Sequence, residues 1–275
     1  MASPPVADAA RELDIRVVQV GNVNEPAALE EIRGAEAEMP VLCAFGQLIG
    51  EELLDGPPIL NIHPSLLPRW RGAAPIERAI MAGDAETGVT VMRLTSELDA
   101  GPIALTESVP IGPDDDFASL ATKLANLGGE LIVRALDLAA AGGLEFTEQD
   151  DGQATYAEKI APEDRRLDPG LPADRLERQV RALHPHIGAQ LLLADDTTLG
   201  IRQAAVADPA APGESAVAGE LEPGVLVAVE QRLLLGCSEG ALEIGRLTPP
   251  GGREMTAAEY LRGHPPPAVA PMRED

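Results

Sequence analysis

The chain has 275 residues, 45% of them hydrophobic but only 2% aromatic, and a formal net charge of -24. That length and apolar content suit one large or two ordinary domains. So few rings exclude an extended base-stacking platform, and so strong a negative charge excludes non-specific binding to a phosphate backbone as the main activity. A basic start followed by an apolar stretch is missing, and no run is long enough to span a bilayer, so the expected location is the cytoplasm, with no membrane contact. Cys43 and Cys237 lie far apart in separate apolar runs and read as buried, reduced thiols.

In chain order, β-branched runs at 16–20 and 41–45 flank a helical pattern at 27–32, which is β-α-β grammar. A strand is predicted at 59–63, after the turn signal Asp55-Gly56-Pro57-Pro58, and a Pro-rich loop then leads to a helix near 74–81. The alternating run 88–94 predicts a half-buried strand with 103–111 as its partner. Together these predict an open, mostly parallel α/β sheet. A helix is predicted over 117–140, stopped by Gly142-Gly143 and opened by the acidic cluster Asp114 to Asp116 as its N-terminal cap.

The stretch to residue 168 is charged and irregular and marks a domain boundary. Beyond it come a helix at 172–183, five short strands at 190–193, 199–206, 225–229, 233–237 and 241–247, and a Pro/Gly/Ala-rich loop at 208–219, a pattern that predicts a small β-barrel. A short helix at 256–262 has a Thr cap and a Gly263 stop. The expected division is a catalytic domain at 1–145, a linker at 146–168, a second domain at 169–263 and a disordered tail at 264–275. His184 and His186 flank Pro185 without a Cys or carboxylate at ligand spacing, so a domain-entry loop is favoured over a metal site. Up to residue 160 there are 10 basic and 27 acidic residues, and 11 and 18 afterwards. Arg165, Arg166, Arg175, Arg178 and Arg181 therefore form either a local positive stripe or a helix of paired charges.

The informative stretch begins at Asn61-Ile62-His63. On a strand these two polar residues share a face, with Cα atoms about 6.6 Å apart. Pro64 and Pro68 cannot donate to a sheet ladder, so the strand ends at His63 and the pair sits at a carboxyl end, where open α/β sheets bind ligands. Spacing alone leaves a structural hydrogen-bonding pair as the commoner reading.

The wider context adds a resemblance. Ser65-Leu66-Leu67-Pro68-Arg69-Trp70-Arg71-Gly72-Ala73-Ala74-Pro75-Ile76, with the segment 82–92 and Leu98-Asp99-Ala100-Gly101-Pro102 after it, resembles the folate-dependent formyltransferase family, and within it the branch acting on methionyl-tRNA. The likeness continues through Tyr156-Ala157-Glu158-Lys159-Ile160 and Met255-Thr256-Ala257-Ala258-Glu259-Tyr260-Leu261, to about Gly263. It implies Asn61, His63 and Asp99 as the catalytic set. Phe45, Gly46 and Gln47, with Ser65, Leu66, Leu67 and Pro68, would bind the folate. Arg69, Trp70, Arg71 and Gly72 would face the tRNA and its methionyl end.

A Rossmann-like formyltransferase sheet followed by an OB-like barrel that contacts tRNA is the implied architecture. The implied reaction uses 10-formyltetrahydrofolate as donor and charged initiator tRNA as acceptor, in a monomer with no metal and no DNA partner. Formyl transfer builds charge on the formyl oxygen, which an Asn amide and an imidazole can stabilise, while an aspartate fixes the ring and helps draw off the amine proton. Two rivals remain: a formyltransferase for a small-molecule amine, and a catalytically silent tRNA-binding remnant. The family's opening strand-helix-strand and basic loop have no counterpart before Ser3-Pro4-Pro5, so the chain is expected to be truncated at its start, less stable and less active than a version extended upstream.

Overall fold

The structure, a computed structural model, describes residues 4–208 and 221–270. The first part runs α1 (Pro5–Glu12), α2 (Pro26–Gly34), β1 (Val41–Cys43), α3 (Glu51–Leu54), β2 (Leu60–His63), β3 (Arg71–Gly72), α4 (Pro75–Ala82), β4 (Glu86–Arg93), β5 (Ile103–Pro110) and α5 (Phe117–Ala140). After β6 (Tyr156–Ala157) come α6 (Ala173–Leu183), β7 (Ala189–Leu192), β8 (Thr198–Val206), β9 (Leu226–Val229), β10 (Arg232–Gly236), β11 (Ala241–Thr248), β12 (Met255–Thr256) and α7 (Ala257–Leu261).

The first sheet has the order β1-β2-β4-β5. It is mixed, where a mostly parallel sheet was expected: β1 and β2 run parallel, but β4 is antiparallel to both β2 and β5. For the β4-β5 pair the reason is the connection 94–102, which is too short for the crossover that parallel neighbours need. One face of this sheet packs on α5 and α4, with Leu60, Ile80, Val89, Val91, Leu120, Leu124 and Leu131 forming the core. The long helix starts where its acidic cluster places it, since the Asp116 side chain accepts the Ser119 N–H.

Two further expectations fail in this part, and one element is new. Residues 16–20 form no strand, because no neighbour offers them a ladder, and Ile15, Val18 and Val20 stay exposed. The helix α1 was not foreseen. Cys43 is exposed, since β1 pairs only with β2 among the described residues, whereas Cys237 is buried as expected.

In the second part all five predicted strands form. They make an antiparallel sheet in the order β7-β8-β11-β10-β9, with β12 added against β11. Among the described residues the expected barrel closure is not found: β7 and β9 lie at opposite ends of the strand order. A core of Leu176, Val180, Leu183, Leu191, Leu199, Ile201, Leu233, Leu235 and Ile244 joins α6 to the sheet. Thr256 and Glu259 cap α7 reciprocally. Most of the loop expected at 208–219 lies outside the described residues. So do residues 271–275 of the expected disordered tail, while its earlier part runs back along β7, with Val269 bridging Leu193.

The two parts are tied together. Helix α4 packs on α6; Arg78 grips Asp164 in a two-pronged pair at 2.7 and 3.0 Å; and Arg181 donates to the Asp115 carbonyl at 2.5 Å. The two histidines around Pro185 join this seam: His184 meets Asp116 at 2.9 Å, and His186 meets the buried Glu77 at 3.0 Å and stacks on Phe117. Both histidines thus contact residues of the first part. Of the five arginines, Arg178 pairs with Asp174 and Arg181 with Glu177, while Arg165 donates to the Ile187 and Gly188 carbonyls.

Candidate active site

Alternation along β2 sends Leu60 and Ile62 into the helical core and Asn61 and His63 to the opposite face. There the two side chains meet Asp99. Its carboxylate lies 3.6 Å from His63 Nδ1 through Oδ2 and 3.5 Å from Asn61 Nδ2 through Oδ1, the outer limit of a hydrogen bond. The Gly72 backbone N–H donates to Asp99 Oδ2 at 2.8 Å. His63 Nε2 faces the Trp70 carbonyl at 2.8 Å. A carbonyl only accepts, so Nε2 carries the proton in that contact and Nδ1 is the nitrogen turned toward the carboxylate.

The trio is well enclosed, with Asn61 8% and His63 4% exposed. Two surface hollows, of about 510 Å³ beside Asn24, Leu29, Arg33 and Glu52 and about 410 Å³ beside Arg78, Tyr156, Lys159 and Asp164, do not include it. The side chains hold their donors on internal partners, His63 on the Trp70 carbonyl and Asn61 on Asp99.

The connection carrying Asp99 folds back over the polar face of β2, and Asp99 itself has φ +49°. A left-handed non-glycine residue costs about 1 kcal/mol or more, so its neighbours must hold it there. They do: Gln149 Nε2 donates to the Asp99 carbonyl at 2.9 Å and the Gly101 carbonyl at 2.7 Å. Gly101 is required by close approach, because a Cβ there would come within 1.9 Å of the Arg93 carbonyl oxygen.

Residues 65–72 wrap this centre. Ser65 Oγ donates to the Arg69 carbonyl, Thr90 Oγ1 donates to the Ser65 carbonyl and accepts from the Leu67 N–H, and the Leu67-Pro68 peptide is cis. Leu66 lies against Gly88. Asp84 holds Arg69 through both carboxylate oxygens and also accepts the Trp70 indole N–H, with the guanidinium over the ring. Of the residues expected to face substrate, Arg69 remains exposed, but Arg71 is only 3% exposed. Its guanidinium points inward to Gln149 Oε1 at 2.8 and 3.0 Å and to Asp151 at 2.7 Å. Gly72 presents its N–H to Asp99 and has φ +117°, packed so that a Cβ would meet the Ala157 carbonyl oxygen at 2.8 Å.

The expected folate segment sits at the same sheet end. Cys43 pairs with Ile62 in parallel register, so Ala44 and Phe45 continue beside His63 and Pro64. Phe45, Gly46 and Gln47 are exposed, and the Gln47 side chain is anchored to the Val23 N–H and the Gly21 carbonyl. Their free backbone and the half-exposed ring suit a flat heteroaromatic ligand. Among the described residues no group of three or more His, Cys, Asp or Glu could hold a metal ion.

Sequence reading missed Asp84, Thr90, Gln149 and Thr155, whose Oγ1 accepts the Trp70 N–H. Asp84 and Thr90 lay inside the segment that carried the resemblance but had no chemical signature of their own. Gln149 and Thr155 sit in the stretch dismissed as irregular, Thr155 directly before the run from Tyr156 that carries the resemblance.

Fold and site thus define an α/β protein with an amide, an imidazole and a carboxylate converging at a strand's carboxyl end. The formyl transferase family profile matches residues 1–136 and the formyl transferase C-terminal domain profile matches residues 159–265. A methionyl-tRNA formyltransferase of Methylococcus capsulatus is 42% identical over 96% of this chain and 83% of its own length, and one of Halorhodospira halophila is 40% identical over 96% and 83%. The chain belongs to the formyl transferase family. Solved structures share the fold: HypX from Aquifex aeolicus in complex with tetrahydrofolic acid has a TM-score of 0.64 at 21% identity, covering 85% of this chain and 40% of that one. WlaRD, a sugar 3N-formyl transferase crystallised with dTDP and 5-N-formyl-THF, has 0.63 at 16% identity, covering 87% and 80%.

Proposed function

We propose that this chain transfers a formyl group from 10-formyltetrahydrofolate to the amino group of methionine on charged initiator tRNA, in the cytoplasm and as a monomer. The observation that carries the reading is the meeting of Asn61, His63 and Asp99 at the end of β2 in a chain whose 40–42% identical relatives are methionyl-tRNA formyltransferases.

In this reading the amine nitrogen bonds to the formyl carbon, the bond from that carbon to the folate nitrogen breaks, and one proton passes from the amine to that nitrogen. The Asn61 Nδ2–H and the His63 Nε2–H stabilise the charge on the formyl oxygen, His63 exchanging the Trp70 carbonyl for it. Asp99 faces Nδ1, which it can hold only when that nitrogen also carries a proton, and it accepts the amine proton, directly or through water.

Phe45, Gly46 and Gln47, with residues 65–68, take the folate, and Arg69, Trp70 and Gly72 take the methionyl end. We take residues 1–145 as the catalytic domain, 146–168 as the linker and 169–263 as the family's OB-like domain facing the tRNA. The five antiparallel strands, packed with α6 around a shared core, support that assignment.

The test is formylation by the purified chain of charged initiator tRNA, with an amino-sugar nucleotide as the competing acceptor. Turnover of the tRNA alone supports the reading; turnover of the sugar alone, or of neither, overturns it.

A further inference from the structure

Gln149 joins the two segments that fix the Asp99 carboxylate. Its amide nitrogen donates to the carbonyls of Asp99 and Gly101, and its amide oxygen accepts twice from Arg71. The partners settle which way the amide points, because carbonyls only accept and a guanidinium only donates. Arg71 begins the two-residue strand whose next member, Gly72, donates its N–H to Asp99 Oδ2. One side chain therefore clamps both the backbone that carries the carboxylate and the strand that supplies its hydrogen-bond donor. No other uncharged side chain except Asn offers two donors and an acceptor, and Asn is one methylene shorter.

We propose that Gln149 is a positioning residue for formyl transfer: it sets the placement of Asp99 against His63 without touching substrate. The proposal rests on the function argued above. It also gives the linker a role in the chemistry, since residue 149 lies outside the catalytic sheet. The Arg71-Asp151 pair secures the far side of the clamp.

The informative variant is Gln149→Glu, which keeps the length and an acceptor for Arg71 but turns a carboxylate oxygen, in place of a donor, toward two carbonyl oxygens. Gln149→Met, which removes both donors and the acceptor, checks the result. With 10-formyltetrahydrofolate and charged initiator tRNA, Gln149→Glu is expected to lower kcat at least tenfold while both KM values stay within twofold and the melting temperature stays within a few degrees. The ring ¹⁵N signals of His63, followed by NMR in the free protein, are expected to move in both variants and to stay in place in a control such as Arg134→Gln, whose partner Glu107 lies elsewhere.

Gln149→Glu retaining kcat within twofold overturns the proposal, and so does a kcat loss that merely tracks unfolded fraction. If the parent chain transfers no formyl group, the functional reading fails, and the NMR arm decides this proposal by itself: unmoved His63 signals overturn it.

Discussion

Gly72 and Asp99 are joined by one hydrogen bond of 2.8 Å from backbone N–H to Oδ2, across 27 residues of sequence. The residue that presents the N–H is the only kind able to sit there, because its φ of +117° and the nearby Ala157 carbonyl oxygen leave no room for a Cβ. Gly72→Ala is expected to cost roughly 1–3 kcal/mol in a urea titration, from backbone strain and the displaced β3-β6 pairing. It should also lower kcat by freeing the carboxylate. An unaltered urea midpoint would contradict the strain argument.

His63→Ala removes an oxyanion donor, and formyl transfer is expected to fall on the order of 10²–10³-fold. Asn61→Ala should fall by a similar factor, and the double variant by less than the product, since both donors serve one oxygen. Single-turnover formylation of charged initiator tRNA measures all three; a His63→Ala variant as fast as the parent would end the site assignment.

Acid should loosen the seam between the two parts. Arg78 holds the Asp164 carboxyl below its ordinary value of 3.8, mainly through their hydrogen bond. Burial pushes Asp115 and Asp116 upward, but this is outweighed by hydrogen bonds from Lys123, Gly112 and Ser119 to Asp115, and from Ser119 and His184 to Asp116, so both are also lowered. A carboxyl whose folded value lies below its unfolded value stabilises the fold above pH 3.8, and that contribution fades as pH falls through the lowered value. The urea midpoint is therefore expected to drop below about pH 4, and less steeply in Asp164→Asn. Equal slopes in the parent and the variant would count against this.

The two thiols should differ in reactivity. Burial pushes Cys237 up to about 11, whereas Cys43 is exposed at the end of β1. Iodoacetamide at pH 8 is expected to label Cys43 within minutes and Cys237 only on unfolding, because the thiolate is the nucleophile. Mass spectrometry of the native protein showing label on Cys237 would refute the burial.

Local chemistry made much of this protein legible. Pro64 after His63 marked the strand end, period-two alternation placed Asn61 and His63 on one face, Asp116 and Thr256 announced helix starts, and the five strands of the second part were visible in their turns. Each of those signals lies within a few residues of its effect. The run at 16–20 shows the limit of such signals: it has β-branched composition, yet a strand exists only if a neighbour pairs with it.

Strand direction, the open order of the second sheet and the identity of the braces were decided by tertiary structure alone. Asp99 meets His63 only because the connection 94–102 folds back over β2, and that turn is held by Gln149, a residue fifty positions away with no mark in its neighbourhood. Arg71 looked like a substrate-facing cation and became a buried strut, since a guanidinium goes where its acceptors are, and those were supplied by Gln149 and Asp151. Sequence determined which groups were on hand for the chemistry; long-range contacts, whose partners no local pattern specifies, determined how far apart they stand.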